Sequence, residues 1–250
     1  MGVVTVRGGW AVQSFGYGRY LPVGRPEVVA ENLDRWGADE ILLQCIDRST
    51  GNAGPDLALL GRVANMGLGT PLILAGGIRD EADGVSCIHA GADRVCVDAL
   101  LHERPEGASE LSGRLGAQAV IAALPLSIEP GGIRWFDYRN RKSGPIGERV
   151  LQLLRDKILS EALVIDWKNE GTHGGFDMGL LSQPELAGIP LIAFGGLADP
   201  AAMRAALEHP QTVAAGVGNA LNYREHAMRL LKQELGGVAV RSPSSQPGAA

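Results

Sequence analysis

The sequence has 250 residues, of which 45% are hydrophobic, and its formal net charge at pH 7 is -5. This length suits one (β/α)8 barrel or two smaller domains. The charges are mixed in sign and form no basic stripe, so we expect neither nucleic acid nor a membrane surface as a partner.

No stretch approaches the ~18 consecutive apolar residues of a membrane span, and no basic segment precedes a long apolar run at the N-terminus. The sequence therefore predicts a cytoplasmic protein. Its three cysteines lie in apolar contexts and predict buried thiols in a reducing compartment. There is no cysteine–histidine cluster with zinc spacing, no P-loop and no dinucleotide fingerprint, so we expect no metal and no cofactor.

Short apolar strands alternate with helical segments along the first half of the chain. The first strand is predicted at Val3–Val6, and the segment from Arg7 to Gly24, rich in glycine and aromatic residues, is predicted as a long loop, which is usually functional or mobile. Pro26 starts a helix at the position that proline tolerates best, and Gly37 ends it. The other predicted elements of this half are strands at Glu40–Ile46, Leu72–Ala75 and Val95–Val97 and helices at Pro55–Met66, Arg79–Ala90 and Ser109–Leu115.

The second half repeats the alternation. The segment GGIRWFDYRNRKSG (Gly131–Gly144) is predicted as an added hairpin, and the tail Arg241–Ala250, without apolar periodicity, as disordered. The other elements are strands at Gln118–Leu124, Leu163–Asp166, Leu191–Ala193 and Val213–Ala215 and helices at Ile146–Leu159, Leu180–Leu186 (part of a helix), Ala201–Leu207 and Tyr223–Leu235.

Eight strands alternating with eight helices predict an α/β fold, a single-domain (β/α)8 TIM barrel over residues 1–240. Residues after the strands then form the face where active sites gather, and residues at strand starts form the opposite face. The first group is Thr5, Asp47, Gly76, Gly77, Asp98, Pro125, Asp166, Lys168, Glu170, Gly171, Thr172, His173, Gly195, Gly196, Gly218 and Asn219, and the second is Glu40, Arg94 and Glu161.

Several of these residues have a structural interpretation as well. Glycine pairs after strands let a backbone approach an anion, but they also serve as tight turns. The polar loop after the sixth strand is either an acid–base or ligand site or a loop that anchors its own backbone. His89 and His102 are isolated in the sequence, which predicts structural or exposed side chains.

Taken in order, the segments GADEILL, LAGGI, GADRV, AQAVIAAL, EGTHGGFD, FGGLAD and NYRE resemble the cyclase (synthase) subunit of imidazole glycerol phosphate synthase over nearly the whole chain. The segment VQSFGYGRYLPVGRPE and the hairpin containing WFDYRNRKSG look most like the paralogues associated with amidation of surface-polysaccharide sugars. The resemblance implies a TIM barrel that works with a glutaminase subunit.

The family uses two aspartates for acid–base chemistry, and the matching positions are Thr5 and Pro125. A threonine hydroxyl is a poor proton carrier near neutral pH and proline has no ionisable side chain, so the acid–base pair is absent. The catalytic group is therefore unknown. Candidates that could replace the pair are Asp47, Asp98, Asp166 and Lys168.

The resemblance also implies two phosphate sites. The first combines the glycines after the third strand, Gly77 among them, with a polar pair that is here Asp98-Ala99, and a carboxylate there repels a phosphate. The second keeps its glycines, which predicts one phosphorylated or sugar ligand. Its matching residues are Gly171, Gly195, Gly196, Gly218 and Asn219.

On the opposite face, the family gates ammonia from a docked glutaminase with a ring of charged residues. Glu40, Arg94 and Glu161 match three members of this ring, while the fourth position, an arginine, would precede Met1. Asp93 and Gln118 match positions that face the partner. Solvated charges at strand starts are the alternative interpretation.

Three functions follow. The first is an ammonia-handling, synthase-like subunit of a glutamine amidotransferase, delivering ammonia to an acceptor or to a third, amidating enzyme for a surface-polysaccharide sugar. The second is the cyclase (a lyase) of histidine biosynthesis, with a replacement acid–base set. The third is a non-catalytic scaffold or regulatory subunit.

Overall fold

A computed structural model describes residues 1–238, 240 and 241, and most of the predicted tail lies outside the described residues. The strands, in chain order, are β1 (Gly2–Arg7), β2 (Trp10–Phe15), β3 (Arg19–Gly24), β4 (Ile41–Cys45), β5 (Leu72–Ala75), β6 (Arg94–Val97), β7 (Val120–Glu129), β8 (Gly132–Asp137), β9 (Lys142–Gly144), β10 (Glu161–Asp166), β11 (Leu191–Phe194) and β12 (Thr212–Ala215). The helices are α1 (Pro26–Arg35), α2 (Leu57–Ala64), α3 (Glu81–His89), α4 (Ala99–Glu103), α5 (Pro105–Leu115), α6 (Glu148–Arg155), α7 (Pro200–Glu208) and α8 (Ala227–Glu234).

Eight parallel strands form the barrel in the order β1, β4, β5, β6, β7, β10, β11 and β12. A parallel bridge between Gly2 and Val217 joins its two ends, with the Val3 N–H donating to the Val217 carbonyl at 2.8 Å. The predicted (β/α)8 TIM barrel is thus confirmed. We call its two ends the C-terminal face and the N-terminal face, after the strand ends that form them.

Alternation along each strand divides the core into two layers. In β4, Leu42 points into the barrel, whereas Leu43 points outward against the helices. The inner layer is built from Val3, Leu42, Ile73, Cys96, Ile121, Leu163, Ile192 and Phe194, among others. Because side chains alternate, the next inward positions beyond this layer lie at the C-terminal face.

The segment from Arg7 to Gly24, predicted as a loop, is mostly an antiparallel hairpin, β2–β3, which extends β1 through a tight turn. Gly8 and Gly9 have φ of 58° and 79°, the left-handed conformation that such a turn requires. The prediction of a loop was therefore wrong, because these glycines form a turn between strands. The second predicted hairpin, within residues 131–144, is confirmed as β8–β9.

Other differences concern helices. The predicted sixth helix is two short 3-10 turns, at Met178–Ser182 and Pro184–Leu186, because Pro184 interrupts the segment. The predicted fourth helix begins earlier, at Pro105, and follows α4 directly. The predicted eighth helix begins at Ala227, after a 3-10 turn at Asn219–Asn222.

Within the part of the chain that the structure describes, no helix is long and apolar enough to cross a membrane.

Candidate functional site

The C-terminal face contains a cavity of about 300 Å³ at the end of the barrel, which we call the main cavity. Its floor is the top of the inner core, where Cys96, Ala123 and Ile165 face inward. Its walls come from strand ends and from the two hairpins. The polar and aromatic lining residues are Arg7, Tyr17, Tyr20, Gln44, Asp47, Ser49, Thr50, Asp98, Phe136, Asp137, Tyr138, Arg139, Arg141 and Trp167.

The two hairpins meet over this cavity. Tyr17, at the tip of β2–β3, packs edge-on against Tyr138 of the β8–β9 turn, with ring centroids 5.1 Å apart. The Tyr17 hydroxyl lies 3.2 Å from Gln44 Oε1 and accepts from Gln44 Nε2 at 3.1 Å. Tyr17 has a left-handed φ of 50°, which is rare for a bulky residue. Burial raises the pKa of both tyrosine hydroxyls well above the ordinary value, so both are neutral.

One side of the cavity is rich in buried polar atoms without partners. Among the described residues, eight buried side-chain N or O atoms have no hydrogen-bond partner, and four of them belong to residues that line this cavity. Buried polar groups are normally paired, so this concentration points to a ligand surface. The four residues are Asp98, Tyr138, Arg139 and Trp167, and two further such atoms, in His102 and Trp135, lie behind the lining.

Asp98 is the ionisable centre of that group. Desolvation raises the pKa of its carboxyl to about 7, and the neighbouring Asp137 carboxylate acts in the same direction. His102 lies behind it, with Nε2 3.5 Å from Asp98 Oδ1, and its ring stacks on Trp135 at 3.5 Å between centroids. Desolvation lowers the pKa of His102 to about 4, so the imidazole is neutral near pH 7. His102 was predicted to be structural or exposed, and its stacking on Trp135 of the added hairpin agrees with a structural side chain.

Thr5 and Pro125 are both buried at the C-terminal ends of β1 and β7, at inward positions. Neither residue lines the main cavity, and neither has an ionisable side chain. Asp47 does line it, and its Oδ2 accepts from the Gly8 N–H at 2.7 Å.

Asp166 and Lys168 lie outside the lining of the main cavity. Asp166 is buried, and its Oδ2 accepts from the Asn169 amide and from the Asp177 N–H, both at 2.8 Å. Its carboxylate thus anchors its own loop. Lys168 is half exposed and donates to Glu129 at 2.7 Å.

Glu170 is buried and ties the β2–β3 hairpin to the barrel. Its Oε2 accepts from the Ser14 hydroxyl at 2.9 Å and from the Tyr17 N–H at 3.2 Å. Desolvation raises the pKa of Glu170 above its ordinary value despite these hydrogen bonds.

A second, smaller cavity of about 20 Å³ lies beside Gly171, Gly195, Gly196, Gly218 and Asn219. Three of these glycines are required by the fold. A Cβ at Gly171 would lie 2.2 Å from the Ser14 carbonyl oxygen, and one at Gly195 2.6 Å from that of Asp166, both at left-handed φ. A Cβ at Gly196 would also meet backbone at 2.9 Å.

The other two residues of this cavity differ from those three. Gly218 has no such constraint: its nearest contact for a Cβ is an ordinary 3.6 Å. Asn219 holds the hairpin, with its Nδ2 donating to the Ser14 carbonyl at 2.6 Å. Among the described residues, the N–H groups of Gly196 and Gly218 have no protein acceptor, so they are free to bind an anion.

The glycines after β5 are less available. The Gly77 N–H already donates to the Ser49 hydroxyl at 3.0 Å, and a Cβ at Gly77 would lie 2.2 Å from the Gly54 carbonyl oxygen. Gly77 lines the main cavity together with Asp98. The Gly77 N–H is therefore not free to bind a phosphate.

The N-terminal face carries the charged residues predicted for it. Arg94 lies between two carboxylates, with Nη1 3.1 Å from Glu40 and Nη2 2.5 Å from Glu161. It also donates from Nε to the Gln118 carbonyl at 2.9 Å. Desolvation opposes the charge of Arg94, but the hydrogen bonds and charges of the two glutamates outweigh it and raise the pKa. Asp93 accepts from the Leu72 N–H at 2.8 Å.

Sequence reasoning missed Gln44, Tyr138 and Trp167 as cavity residues. Side chains alternate along β4, so Gln44, two residues after the inward-facing Leu42, could have been predicted to face inward as well. Within the residues that the structure describes, no group of three or more histidine, cysteine, aspartate or glutamate side chains could hold a metal ion.

Residues 4–227 match a protein family described as "Histidine biosynthesis protein". The imidazole glycerol phosphate synthase subunit HisF of Corynebacterium glutamicum (strain R) is 30% identical over 228 residues, which is 87% of this chain and 85% of that protein. The subunit of the same name from Kocuria rhizophila is 29% identical over 219 residues, 85% and 83% of the two chains. That from Exiguobacterium sp. is 29% identical over 207 residues, 82% and 81%.

Proposed function

Since the chain belongs to the histidine biosynthesis protein family, we propose that it is the synthase-type subunit of a glutamine amidotransferase. A glutaminase subunit docks on the N-terminal face, and ammonia passes through the barrel to a ligand in the main cavity. The observation that carries this proposal is Arg94 held between Glu40 and Glu161 at the mouth opposite the cavity. Partly buried charges near a barrel axis are costly unless paired, and even paired they add little stability, so this set of three supports a purpose beyond stability.

The ligand carries a phosphate. The small cavity beside Gly196 and Gly218 has free N–H groups and takes one phosphate, whereas the Gly77 N–H is already bonded to Ser49. A ligand held at one end by a phosphate extends from there towards the main cavity. For a ligand with a phosphate at each end, only one of the two phosphates would have a binding site of this kind.

Two reactions compete for this cavity. The first is delivery of ammonia for amidation of a surface-polysaccharide sugar, directly or through a third, amidating enzyme. The side chains at Thr5 and Pro125 favour it, because neither can carry the proton transfer of the family's cyclase chemistry. It also agrees with the likeness of the two hairpin segments to the polysaccharide-associated paralogues.

The second reaction is the cyclase step of imidazole glycerol phosphate synthase. The names of the relatives favour it over amidation, since all three are subunits of that enzyme. It requires another acid–base group, and Asp98 and Asp47 both follow barrel strands and line the main cavity, as does Asp137 at the end of β8.

Ammonia-dependent turnover of the bis-phosphorylated ribulosyl substrate by the purified chain separates the two reactions. Turnover supports the cyclase, with a replacement acid–base group. Absence of turnover by a folded protein supports ammonia delivery instead. Addition of the cognate glutaminase then tests the docking: a complex with no gain in glutaminase rate or product supports a non-catalytic scaffold and overturns the proposal.

A further inference from the structure

The carboxylate of Asp98 faces the main cavity from the end of β6. Cys96 points into the barrel, and strand alternation turns Asp98 to the same side one step higher. Its Oδ1 is buried and has no hydrogen-bond partner among the described residues. His102 Nε2 is 3.5 Å from it, beyond normal hydrogen-bond distance.

Nothing in the fold explains this carboxylate. Asp98 precedes α4, but its side chain makes no capping hydrogen bond. The Arg139 guanidinium, whose charge acts on Asp98, is paired with Glu103 and lies 3.9 Å from Asp137. The His102 imidazole is neutral because its surroundings are desolvated. A carboxylate that is neither bonded nor neutralised destabilises the folded protein, so its retention needs another reason.

We propose that Asp98 is the acid–base group of the main cavity, held in place by the His102–Trp135 stack, and that it moves the proton when ammonia adds to a carbonyl carbon of the ligand. This inference rests on the proposed function, which brings ammonia to this cavity.

The proton transfer balances with Asp98 alone. The nitrogen lone pair forms the C–N bond while the carbonyl π pair moves to oxygen, which gives an ammonium and an alkoxide on one carbon. The Asp98 carboxylate takes one proton from the nitrogen and becomes a neutral carboxyl. It then donates that proton to the alkoxide oxygen, which leaves an amino alcohol and restores the carboxylate.

The titration of Asp98 suits this role. Desolvation, with Asp137 acting in the same direction, raises its pKa to about 7, so both protonation states are populated near neutral pH. A group with a pKa near the working pH is the most effective general acid–base catalyst. The titratable and charged groups around it are His102 from α4, Asp137, Tyr138 and Arg139 from β8 and its turn, Tyr17 from the β2–β3 turn, and Cys96 from β6.

His102 positions the carboxylate without neutralising it. Its Nε2 is 3.5 Å from Asp98 Oδ1, and its ring is stacked on Trp135 at an interplanar angle of 16°. A protonated imidazole at this place would pull the pKa of Asp98 back down. The stack keeps the imidazole in an apolar environment, where its pKa falls to about 4.

The test uses the full chain in complex with its glutaminase, with Asp98→Asn, Asp98→Glu and the exposed charge-matched control Glu225→Gln. In the ammonia-dependent reaction with the bis-phosphorylated ribulosyl substrate, Asp98→Asn is expected to lower kcat by about 100-fold or more with little change in KM. Asp98→Glu restores part of the rate, and His102→Gln shifts the limb of the pH profile near 7. An Asp98→Asn variant within about threefold of wild type and with the same pH profile overturns the inference.

A second measurement does not depend on turnover. Carbon-13 NMR of carboxyl-labelled aspartate, with Asp98→Asn to assign the signal, follows the titration of Asp98 in the wild-type protein. Titration near 7 supports the inference, and titration near the ordinary value of about 4 overturns it. If the wild-type complex has no turnover, the cyclase function is rejected. The titration of Asp98 still tests this inference in that case.

Discussion

The two faces of the barrel differ in how their polar groups are paired. At the N-terminal face, the Arg94 guanidinium donates hydrogen bonds to Glu40, Glu161, Ser160 and the Gln118 carbonyl. At the C-terminal face, four residues that line the main cavity each have a buried polar atom without a partner among the described residues. Polar groups are thus paired within the protein at the first face and left unpaired at the second.

This contrast also separates two costs. At the N-terminal face, the free energy of desolvating the charges is offset within the fold by ion pairs and hydrogen bonds. At the C-terminal face it is not offset by partners among the described residues. The expected effects of substitutions therefore differ: loss of a group at the first face destabilises the protein, and loss at the second impairs binding or reaction.

The largest expected effect is that of Arg94→Ala. It leaves Glu40 and Glu161, whose side chains are 25% and 23% exposed, without their cation. We expect the free energy of unfolding to fall by about 3 kcal/mol and the ratio of product formed to glutamine hydrolysed to fall severalfold. Denaturant unfolding and a paired assay of glutamate and product measure the two effects.

Arg155→Ala is the control for this variant, because Arg155 is on a surface helix and its pair with Glu148 is exposed. Its unfolding free energy and coupling ratio are expected to match those of the wild type. An unchanged coupling ratio in Arg94→Ala would contradict the role of the charged ring as an ammonia gate.

The next effect is a pH-dependent gain in stability from Asp98→Asn. The folded-state pKa of Asp98, about 7, lies above its ordinary value of 3.8. The stability contributed by this group is complete below pH ~4 and is lost as the pH rises through 7. Asparagine cannot ionise, so the variant is expected to exceed the wild type at pH 8 by about 2 kcal/mol, a figure reduced because 27% of the Asp98 side chain is exposed.

Denaturant unfolding of Asp98→Asn and wild type at pH 5 and pH 8 measures this difference. Glu225→Gln, which removes an exposed charge, is expected to differ from the wild type equally at both pH values. An equal difference for Asp98→Asn at the two pH values would show that the cavity does not desolvate the carboxylate.

The strands of this barrel could be read from the sequence because their apolar runs are bounded by glycine turns, as at Leu72–Ala75 before Gly76. The charged residues of the N-terminal face could be placed as well, since each stands at a strand start. The hairpin β2–β3 could not be predicted, because the glycines of its turn are equally typical of a loop.

The candidate site was less predictable for a physical reason. The contact of His102 with Trp135, and that of Tyr17 with Tyr138, join residues from separate segments, and no local periodicity encodes such contacts. The sequence supplied Asp98 as a strand-end aspartate. Its lack of a partner depends on the burial and on the neutral imidazole behind it, which only the assembled structure shows.

A smaller effect compares two hydroxyl groups near the same cavity. The Ser14 hydroxyl donates to Glu170 at 2.9 Å, whereas the Tyr138 hydroxyl is buried without a partner among the described residues. Ser14→Ala is expected to lower the free energy of unfolding by about 1.5 kcal/mol, and Tyr138→Phe to change it by less than about 0.5 kcal/mol. Thermal and denaturant unfolding of the two variants tests this directly, and a greater loss in Tyr138→Phe would mean that its hydroxyl has a structural partner.

The smallest effect on stability is expected from Gly218→Ala, which probes the phosphate cavity without disturbing the fold. A Cβ at Gly218 meets only ordinary contacts, at 3.6 Å from the Val3 carbonyl oxygen and 3.7 Å from the Phe194 ring, so the free energy of unfolding should change by less than about 0.5 kcal/mol. The added methyl group crowds an anion at the Gly218 N–H, and loss of one hydrogen bond, about 1 kcal/mol, corresponds to about fivefold weaker binding of inorganic phosphate. Calorimetric titration with phosphate measures this, with Gly113→Ala in α5, where a Cβ meets nothing within 4 Å, as the control. Equal phosphate affinity in both variants would remove Gly218 from the binding site and leave the glycines of this cavity with a structural role.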